Sequence, residues 1–452
     1  MALTGIQILK MLPKKNCGEC DIPTCLAFAM KVAAGQAEIE TCPYVSEEAK
    51  QTISEASAPP IRTIKLGSGE AAFTAGGETC LFRHEKRFEN PTGIAIMVST
   101  GDSDADVDGK IHRFNVMEFE RVGVIMRANL IAVKDDSGDG AAFTALVTKV
   151  IDQAPKAAVI LMSENVDNMK DAAAACGDRT PLLFGATADN WQAMGELAKA
   201  VNCPLGVKGR NLDDLVEIAE NLVKAGVKDM IIDTGARTLR AAFEDNVVAR
   251  RSAVKAKFKP LGFPTITLPC EMAAGDVMME AMIASVLMAK YSGIVVLSDI
   301  QGDIIFPLFL EQLNIFTDPQ RPMVVQEDIY PIGGPDENSP VMITCNFSLT
   351  YFIVSGEIEG SKVPSWLLIK DTEGLSVLTA WAAGKFGADL IAQFVNKSGI
   401  ADKVKKHELI IPGYLATIKG ELEEELPDWT ITIGPREAGH LPAFLKEWSP
   451  EA

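Results

Sequence analysis

The sequence predicts an α/β protein in three parts. These are a small cysteine-bearing N-terminal module (residues 1–57), a central (β/α)8 barrel of the TIM type (residues 58–320) and a C-terminal Rossmann-like α/β domain (residues 321–452). Three observations predict it. Four of the nine cysteines fall between Cys17 and Cys42. Eight short apolar runs follow, their starts 23 to 36 residues apart, which is room for one strand, one helix and two loops. From about residue 320 a similar alternation restarts on a smaller scale.

The first boundary is drawn at residues 54–62, a small-residue stretch with two adjacent prolines, which reads as an extended spacer. The eight runs are Gly93 to Val98, Asn129 to Lys134, Ala157 to Met162, Pro181 to Gly185, Pro204 to Lys208, Asp229 to Asp233, Pro264 to Leu268 and Gly293 to Ser298. Near-continuous apolar runs suit parallel strands covered on both faces. The segments between them carry helical periodicity; Leu212, Leu215, Ile218, Ala219 and Leu222 share one stripe. An open doubly wound sheet is the rival, but eight parallel strands more often close into a barrel.

In the last part, strands are expected at Pro322 to Gln326, Val341 to Thr344, Trp366 to Lys370, His407 to Ile411 and Trp429 to Ile433. Helices are expected over Leu375 to Phe394 and Gly413 to Glu424. Three stretches lie where strands run into loops: Thr344 to Phe352, Lys370 to Val377 and Ile431 to Ala438. In an α/β sheet such strand ends form the ligand crevice, and amides at a helix start can bind a polar group.

Composition excludes several classes. With 43 basic and 61 acidic residues the net charge is −18, unsuited to a nucleic-acid backbone. No apolar run approaches the ~20 residues of a membrane span, and the N-terminus has no secretory pattern. A cytoplasmic protein with no membrane partner is expected.

The cysteine spacing carries the strongest chemical signal. Cys17, Cys20 and Cys25 lie close together and Cys42, followed by Pro43, is remote. Four thiolates can hold a cubane iron–sulfur cluster or a tetrahedral zinc. A tight trio with one distant partner suits a cluster better, because zinc sites more often use two close pairs. Thr24 is expected to cap a helix from Cys25 to Ala34, aiming a positive helix end at an anionic cluster. The barrel is less informative. Asp233, Glu271 and Asp299 sit at strand carboxyl ends, where barrel enzymes keep their chemistry, but acids there also serve as caps and ion pairs. No nucleophile–histidine arrangement or phosphate loop is evident, and the four histidines show no metal-ligand spacing. No catalytic residue is assigned.

The four-cysteine N-terminus, the barrel, and the tail carrying Gly413, Gly420-Glu421-Leu422 and Gly434-Pro435-Arg436-Glu437 together resemble the large (gamma) subunit of the corrinoid iron–sulfur protein of the acetyl-CoA (Wood–Ljungdahl) pathway and the acetyl-CoA decarbonylase/synthase complex. The resemblance covers essentially the whole chain. It implies a methyl carrier that is a heterodimer with a small barrel subunit, the corrinoid lying between that partner and the C-terminal domain. Corrinoid cobalt would accept a methyl group from methyltetrahydrofolate through a separate methyltransferase and pass it to acetyl-CoA synthase/CO dehydrogenase. The 4Fe–4S cluster would return Co(II) to Co(I). Carried over by residue, Cys17, Cys20, Cys25 and Cys42 would be cluster ligands, and Thr344, Asn346, Lys370, Asp371, Thr372, Glu373, Gly374, Leu375 and Gly434 would line the corrinoid. No Asp-x-His-x-x-Gly motif is present, so the corrinoid is expected base-off, without a protein histidine. An iron–sulfur docking subunit without its own corrinoid, or a pterin-binding barrel methyltransferase, are the alternatives.

Overall fold

The computed structural model describes residues 4–33, 37–50, 53, 58–121 and 124–448. Among them, eight parallel strands close into a barrel. They are β1 (Gly93–Ser99), β2 (Leu130–Lys134), β3 (Ala158–Met162), β4 (Leu182–Ala186), β5 (Leu205–Lys208), β6 (Met230–Asp233), β7 (Thr265–Thr267) and β8 (Ser292–Leu297). β8 pairs back onto β1, Ile294 opposite Gly93, and closes the ring. All eight expected runs form these strands, and the open-sheet alternative is excluded. Alternate side chains, among them Leu130, Ile160, Phe184, Ile231 and Val296, fill the barrel interior. That packing is the usual way a small barrel is solid rather than hollow.

Two hairpins have no counterpart among the sequence expectations. Ile64–Leu66 pairs antiparallel with Phe73–Ala75, and Ile64, Leu66 and Ala75 join the barrel core. The Gly67 N–H reaches the Thr180 carbonyl just before β4, so this hairpin plugs the amino ends of the strands. Phe119–Arg121 pairs with Val124–Met126. Although it lies between β1 and β2 in sequence, this second hairpin belongs to the compact unit of Thr317–Ala452, the other unit being Met1–Glu118 with Arg127–Phe316. Residues 54–57 of the expected spacer lie outside the described residues.

The C-terminal unit is a five-stranded sheet. Its strands are β9 (Asp328–Ile332), β10 (Val341–Cys345), β11 (Ser365–Lys370), β12 (Glu408–Ile411) and β13 (Thr430–Ile433), in the order β9-β11-β10-β12-β13. The last four are mutually parallel, and β9 runs antiparallel on the edge. Four strands fall where expected. The fifth does not: Pro322 to Gln326 makes only an isolated bridge, Val324 to Phe347, and the edge strand is Asp328–Ile332. Pro331 within it is tolerated because an edge strand needs no donor on its open side. The helix expected over Leu375 to Phe394 is split into Val377–Ala382 and Ala388–Ser398, with Gly384 at φ 70° between them. The segment from Gly413 is a 3-10 helix to Ile418 that becomes an α-helix over Lys419–Glu425.

From β10 the chain crosses to β11 on one side and then to β12 on the other. That reversal is a topological switch point, the place where parallel α/β sheets open a crevice beyond their carboxyl ends.

Candidate functional site

In the N-terminal module the loop bearing Cys17 and Cys20 is wound by left-handed residues: Lys14 (φ 57°), Asn16 (φ 47°), Gly18 (φ 77°) and Asp21 (φ 59°). Backbone of this kind gathers N–H groups into a concavity suited to an anion. Asn16 ties the loop to the helix Cys25–Ala33: its side-chain oxygen accepts the Cys25 N–H at 2.8 Å, and its own N–H reaches Cys25 Sγ at 3.4 Å. Thr24 caps that helix, its hydroxyl accepting the Ala27 N–H at 3.1 Å. Cys25 and Cys42 are buried in one small core with Phe28 and Ile39; Cys20 packs against it and Cys17 is exposed. Tyr44 has its phenol pKa raised, first by its hydrogen bond to Glu19 and further by Cys17 and Cys42, which both lie within electrostatic reach of it. Among the described residues no three His, Cys, Asp or Glu side chains close on a point for a single ion. A cubane spreads its thiolates around a larger perimeter than one ion does. The donor set, a thiolate-directed N–H and the capped helix start fit an anionic cluster.

The rim acids of the barrel are engaged by cations. Arg237 spans Asp233 (3.1 and 2.8 Å) and Glu271 (2.5 Å), and Arg113 holds Asp299 through two bonds of 3.0 and 2.7 Å. Buried Glu280 accepts the Ser298 N–H and hydroxyl at 2.5 and 2.6 Å; desolvation nevertheless holds its pKa above the usual glutamate range. These are the ion pairs and caps that the sequence allowed as the alternative to chemistry.

At the switch point of the C-terminal sheet lies a cavity of about 260 Å³. Thr344, next to last in β10, lines it, Ile410, Ile411 and Pro412 bring β12 to it, and Gly434 follows β13. Val354, Val377 and Leu441 wall it with apolar surface. Leu378 and Tyr414 also line it yet stay 44% and 41% exposed, so its mouth is apolar too. Tyr414 is held by a 2.9 Å hydrogen bond from its hydroxyl to Glu437, and Arg436 stacks over its ring at 6.0 Å. Gly413 is required here: a Cβ on it would lie 2.5 Å from the Gly434 carbonyl oxygen and 2.8 Å from the Arg436 nitrogen, both backbone atoms.

The three stretches expected at the crevice supply Thr350, Ser376, Val377, Pro435, Arg436 and Ala438 to its lining, and of the residues named singly only Thr344 and Gly434 line it. The others build the loop beside it. Asn346 is buried, and its side-chain oxygen accepts the N–H groups of Thr372 and Gly374, each at 3.0 Å, with the Thr372 hydroxyl at 2.9 Å. Its amide group donates to Asp371 at 2.8 Å. Lys370 pairs with Glu327, Glu373 pairs with Lys385, and Leu375 packs on the sheet's core. Glu373 and Gly374 are both left-handed (φ 57° and 77°). Tyr414, Pro412 and Val354 were not picked out from the sequence; Gly413 and the Gly434-Pro435-Arg436 run were the signals nearest them. His407 stacks on Trp429 at 4.9 Å, at the amino end of β12 and so away from the crevice.

The comparisons agree with this geometry. Residues 63–445 match the family "CO dehydrogenase/acetyl-CoA synthase delta subunit", and residues 12–44 match "Putative Fe-S cluster". The corrinoid/iron-sulfur protein large subunit of Moorella thermoacetica is 45% identical, with 99% of each chain covered. The acetyl-CoA decarbonylase/synthase complex gamma subunit of Methanopyrus kandleri is 31% identical over 98% of each chain, and a gamma subunit of Methanosarcina thermophila is 32% identical over 99% of each. A barrel and a switch-point crevice preceded by a four-cysteine module, matched end to end by these relatives, assign the chain to the family of corrinoid/iron-sulfur protein large subunits and acetyl-CoA decarbonylase/synthase gamma subunits.

Proposed function

We propose that this chain is the cluster-bearing, corrinoid-binding subunit of a methyl carrier in the acetyl-CoA pathway. The observation that carries the proposal is the apolar, open-mouthed cavity at the β10/β12 switch point. Cofactor pockets that enclose their ligand run to roughly 300–1,000 Å³, and a corrin ring stands at the upper end of that range. A cavity of about 260 Å³ accepts one side or edge of such a ring and leaves the rest to a second surface. That supports a heterodimer in which a small barrel subunit covers the other side.

The bound corrinoid supplies a cobalt that takes up and releases a methyl group, and the cluster supplies the electron that restores it. This chain's residues hold, exclude and orient. Val354, Val377, Leu378 and Leu441 would exclude water from a corrinoid held in this cavity. Thr344, Ser376 and Arg436 would offer it polar groups. Asn346 fixes the 371–374 loop so that the helix starting at Val377 keeps its place beside the cavity. Cys17, Cys20, Cys25 and Cys42 hold the cluster. The sequence carries no Asp-x-His-x-x-Gly motif, so this chain would offer a bound cobalt no histidine from such a motif, and weaker donation to the metal would ease its reduction. The donor of the methyl group is methyltetrahydrofolate, through a methyltransferase, and the acceptor is acetyl-CoA synthase. The ion-paired rim acids argue against the barrel binding a pterin itself.

The test is Gly413→Ala. The added methyl displaces the 434–436 backbone, so affinity for a base-off corrinoid, followed by visible titration of the heterodimer, should fall by about tenfold or more. Unchanged affinity would remove the crevice from the site.

A further inference from the structure

Basic residues are unevenly spread along this chain. Residues 83–87 and 250–259 hold eight lysines and arginines and a single acid, Glu85, in a chain whose net charge is −18. The first segment lies in the loop before β1. The second is the end of the helix Leu239–Val254 with the turn that leads to β7. Both therefore stand at the amino end of the barrel strands, opposite the rim acids. The two segments are pinned together. Buried Arg250 donates from Nε to the Cys80 carbonyl at 3.1 Å and pairs with Glu78 at 3.1 Å, and the Tyr291 hydroxyl donates to the Leu81 carbonyl at 2.7 Å. Outward they present a ridge of cations. Arg87, Arg251, Lys255, Lys257 and Lys259 are exposed, and none of the five makes an ion pair among the described residues. Phe82 and Phe258 stand exposed beside them.

A helix end favours cations, because its last carbonyls are partly negative. That accounts for Arg251 and Lys255 but not for Arg87, Lys257 and Lys259, which lie outside the helix. Unpaired like charges repel one another, so a ridge fixed in place is set to receive something anionic. It adjoins the cluster module. The Arg62 N–H donates to the Gly262 carbonyl at 2.9 Å, just after the 3-10 turn Lys259–Leu261, and Arg62 lines a cavity of about 420 Å³ with Val32, Glu38 and Ile39 of the module. A cluster that gives an electron to cobalt must have it replaced from outside this chain. One-electron carriers meet their targets in small, short-lived complexes steered by opposite charge. A compact acidic protein fits the ridge better than an anionic bilayer does, because a plane would also meet Glu38, Glu40 and Asp229, which line that same cavity.

We propose that the ridge of Arg87, Arg251, Lys255, Lys257 and Lys259 is the docking surface for an acidic one-electron carrier protein that reduces the cluster. One electron passes from the reduced carrier to the oxidised cluster, and no bond is made or broken. The proposal rests on the methyl-carrier reading and deepens it. The test takes the cluster-loaded chain with its barrel partner and follows cluster reduction by stopped flow, with a reduced acidic ferredoxin as the probe. The rate constant should fall at least tenfold between about 20 and about 300 mM salt. At about 100 mM salt, Lys255→Glu with Lys257→Glu and Lys259→Glu should slow it at least about tenfold. Lys170→Glu with Lys397→Glu and Lys446→Glu, the same change in net charge on other helices, should slow it less than about threefold. Reduced methyl viologen, a small cation, should reduce the cluster of all three proteins alike. With viologen reduction intact, a salt-independent ferredoxin rate, or a ridge variant as fast as the parent, overturns the proposal and spares the methyl-carrier reading. Ridge-dependent binding to phosphatidylglycerol vesicles with ferredoxin reduction unchanged also overturns it. A chain whose iron viologen cannot reduce overturns the redox reading itself, and the proposal with it.

Discussion

Cys42→Ser is expected to leave the protein without an intact cluster. Bound iron should fall from about four per chain to three or fewer, and the low-potential reducible absorbance should vanish. Cys42 is buried and stands directly after the 3-10 turn Ile39–Thr41, packed with Cys25 in one small core. A serine hydroxyl there is a poor, rarely ionised ligand, and the remaining three thiolates cannot close a cubane. Because so small a core has little apolar burial to hold it, metal binding is also part of the module's folding free energy. The variant's N-terminal 50 residues should therefore become far more sensitive to limited proteolysis, while the barrel is unaffected. Cys203→Ser, in the barrel just before β5 and outside the four-cysteine module, should keep all its iron. Equal iron in Cys42→Ser and the parent would dismiss Cys42 as a ligand; one zinc in the parent would dismiss the redox role.

Asn346 yields the second large effect. Its oxygen faces two buried N–H groups and the Thr372 hydroxyl, so only an acceptor fits there, and its amide must face Asp371. Asn346→Ala leaves two buried backbone donors unpaired, at about 1–3 kcal/mol each, and should destabilise the C-terminal unit by roughly 3 kcal/mol. Asn346→Asp keeps the acceptor but sets a second carboxylate against Asp371. It should behave nearly as badly at neutral pH and recover as the pH is lowered and one of the two carboxylates protonates. Chemical denaturation followed at the tryptophans of this unit, at pH 5 and pH 7.5, separates the two. A loss below ~1 kcal/mol for the alanine variant would mean that the loop is not held by this side chain.

The barrel was legible because each of its strands is covered on both faces and so appears as a continuous apolar run; Ala158–Met162 is buried at every position. The two hairpins were not, since strands of three residues leave no periodicity to detect. The edge strand Asp328–Ile332 was hidden by its proline and by exposure on one side. At the crevice, Thr344 and Gly434 were legible as strand endings. Val354 and Tyr414 were not, because they meet only through the order of the strands, which brings β12 beside β10 although the 62 residues Asn346 to His407 separate them. Asn346 and Thr372, expected beside the corrinoid, face each other: they shape the loop and do not line the cavity.

The central claim is that this chain carries both a cluster and a corrinoid. Anaerobic purification with its barrel partner, followed by iron and cobalt analysis and visible spectra before and after reduction, tests it most directly. The account predicts about four iron and one cobalt per chain, with a Co(I) band appearing on reduction. Iron without cobalt, after reconstitution with corrinoid in the presence of the partner, would contradict it and leave an electron-transferring or docking subunit.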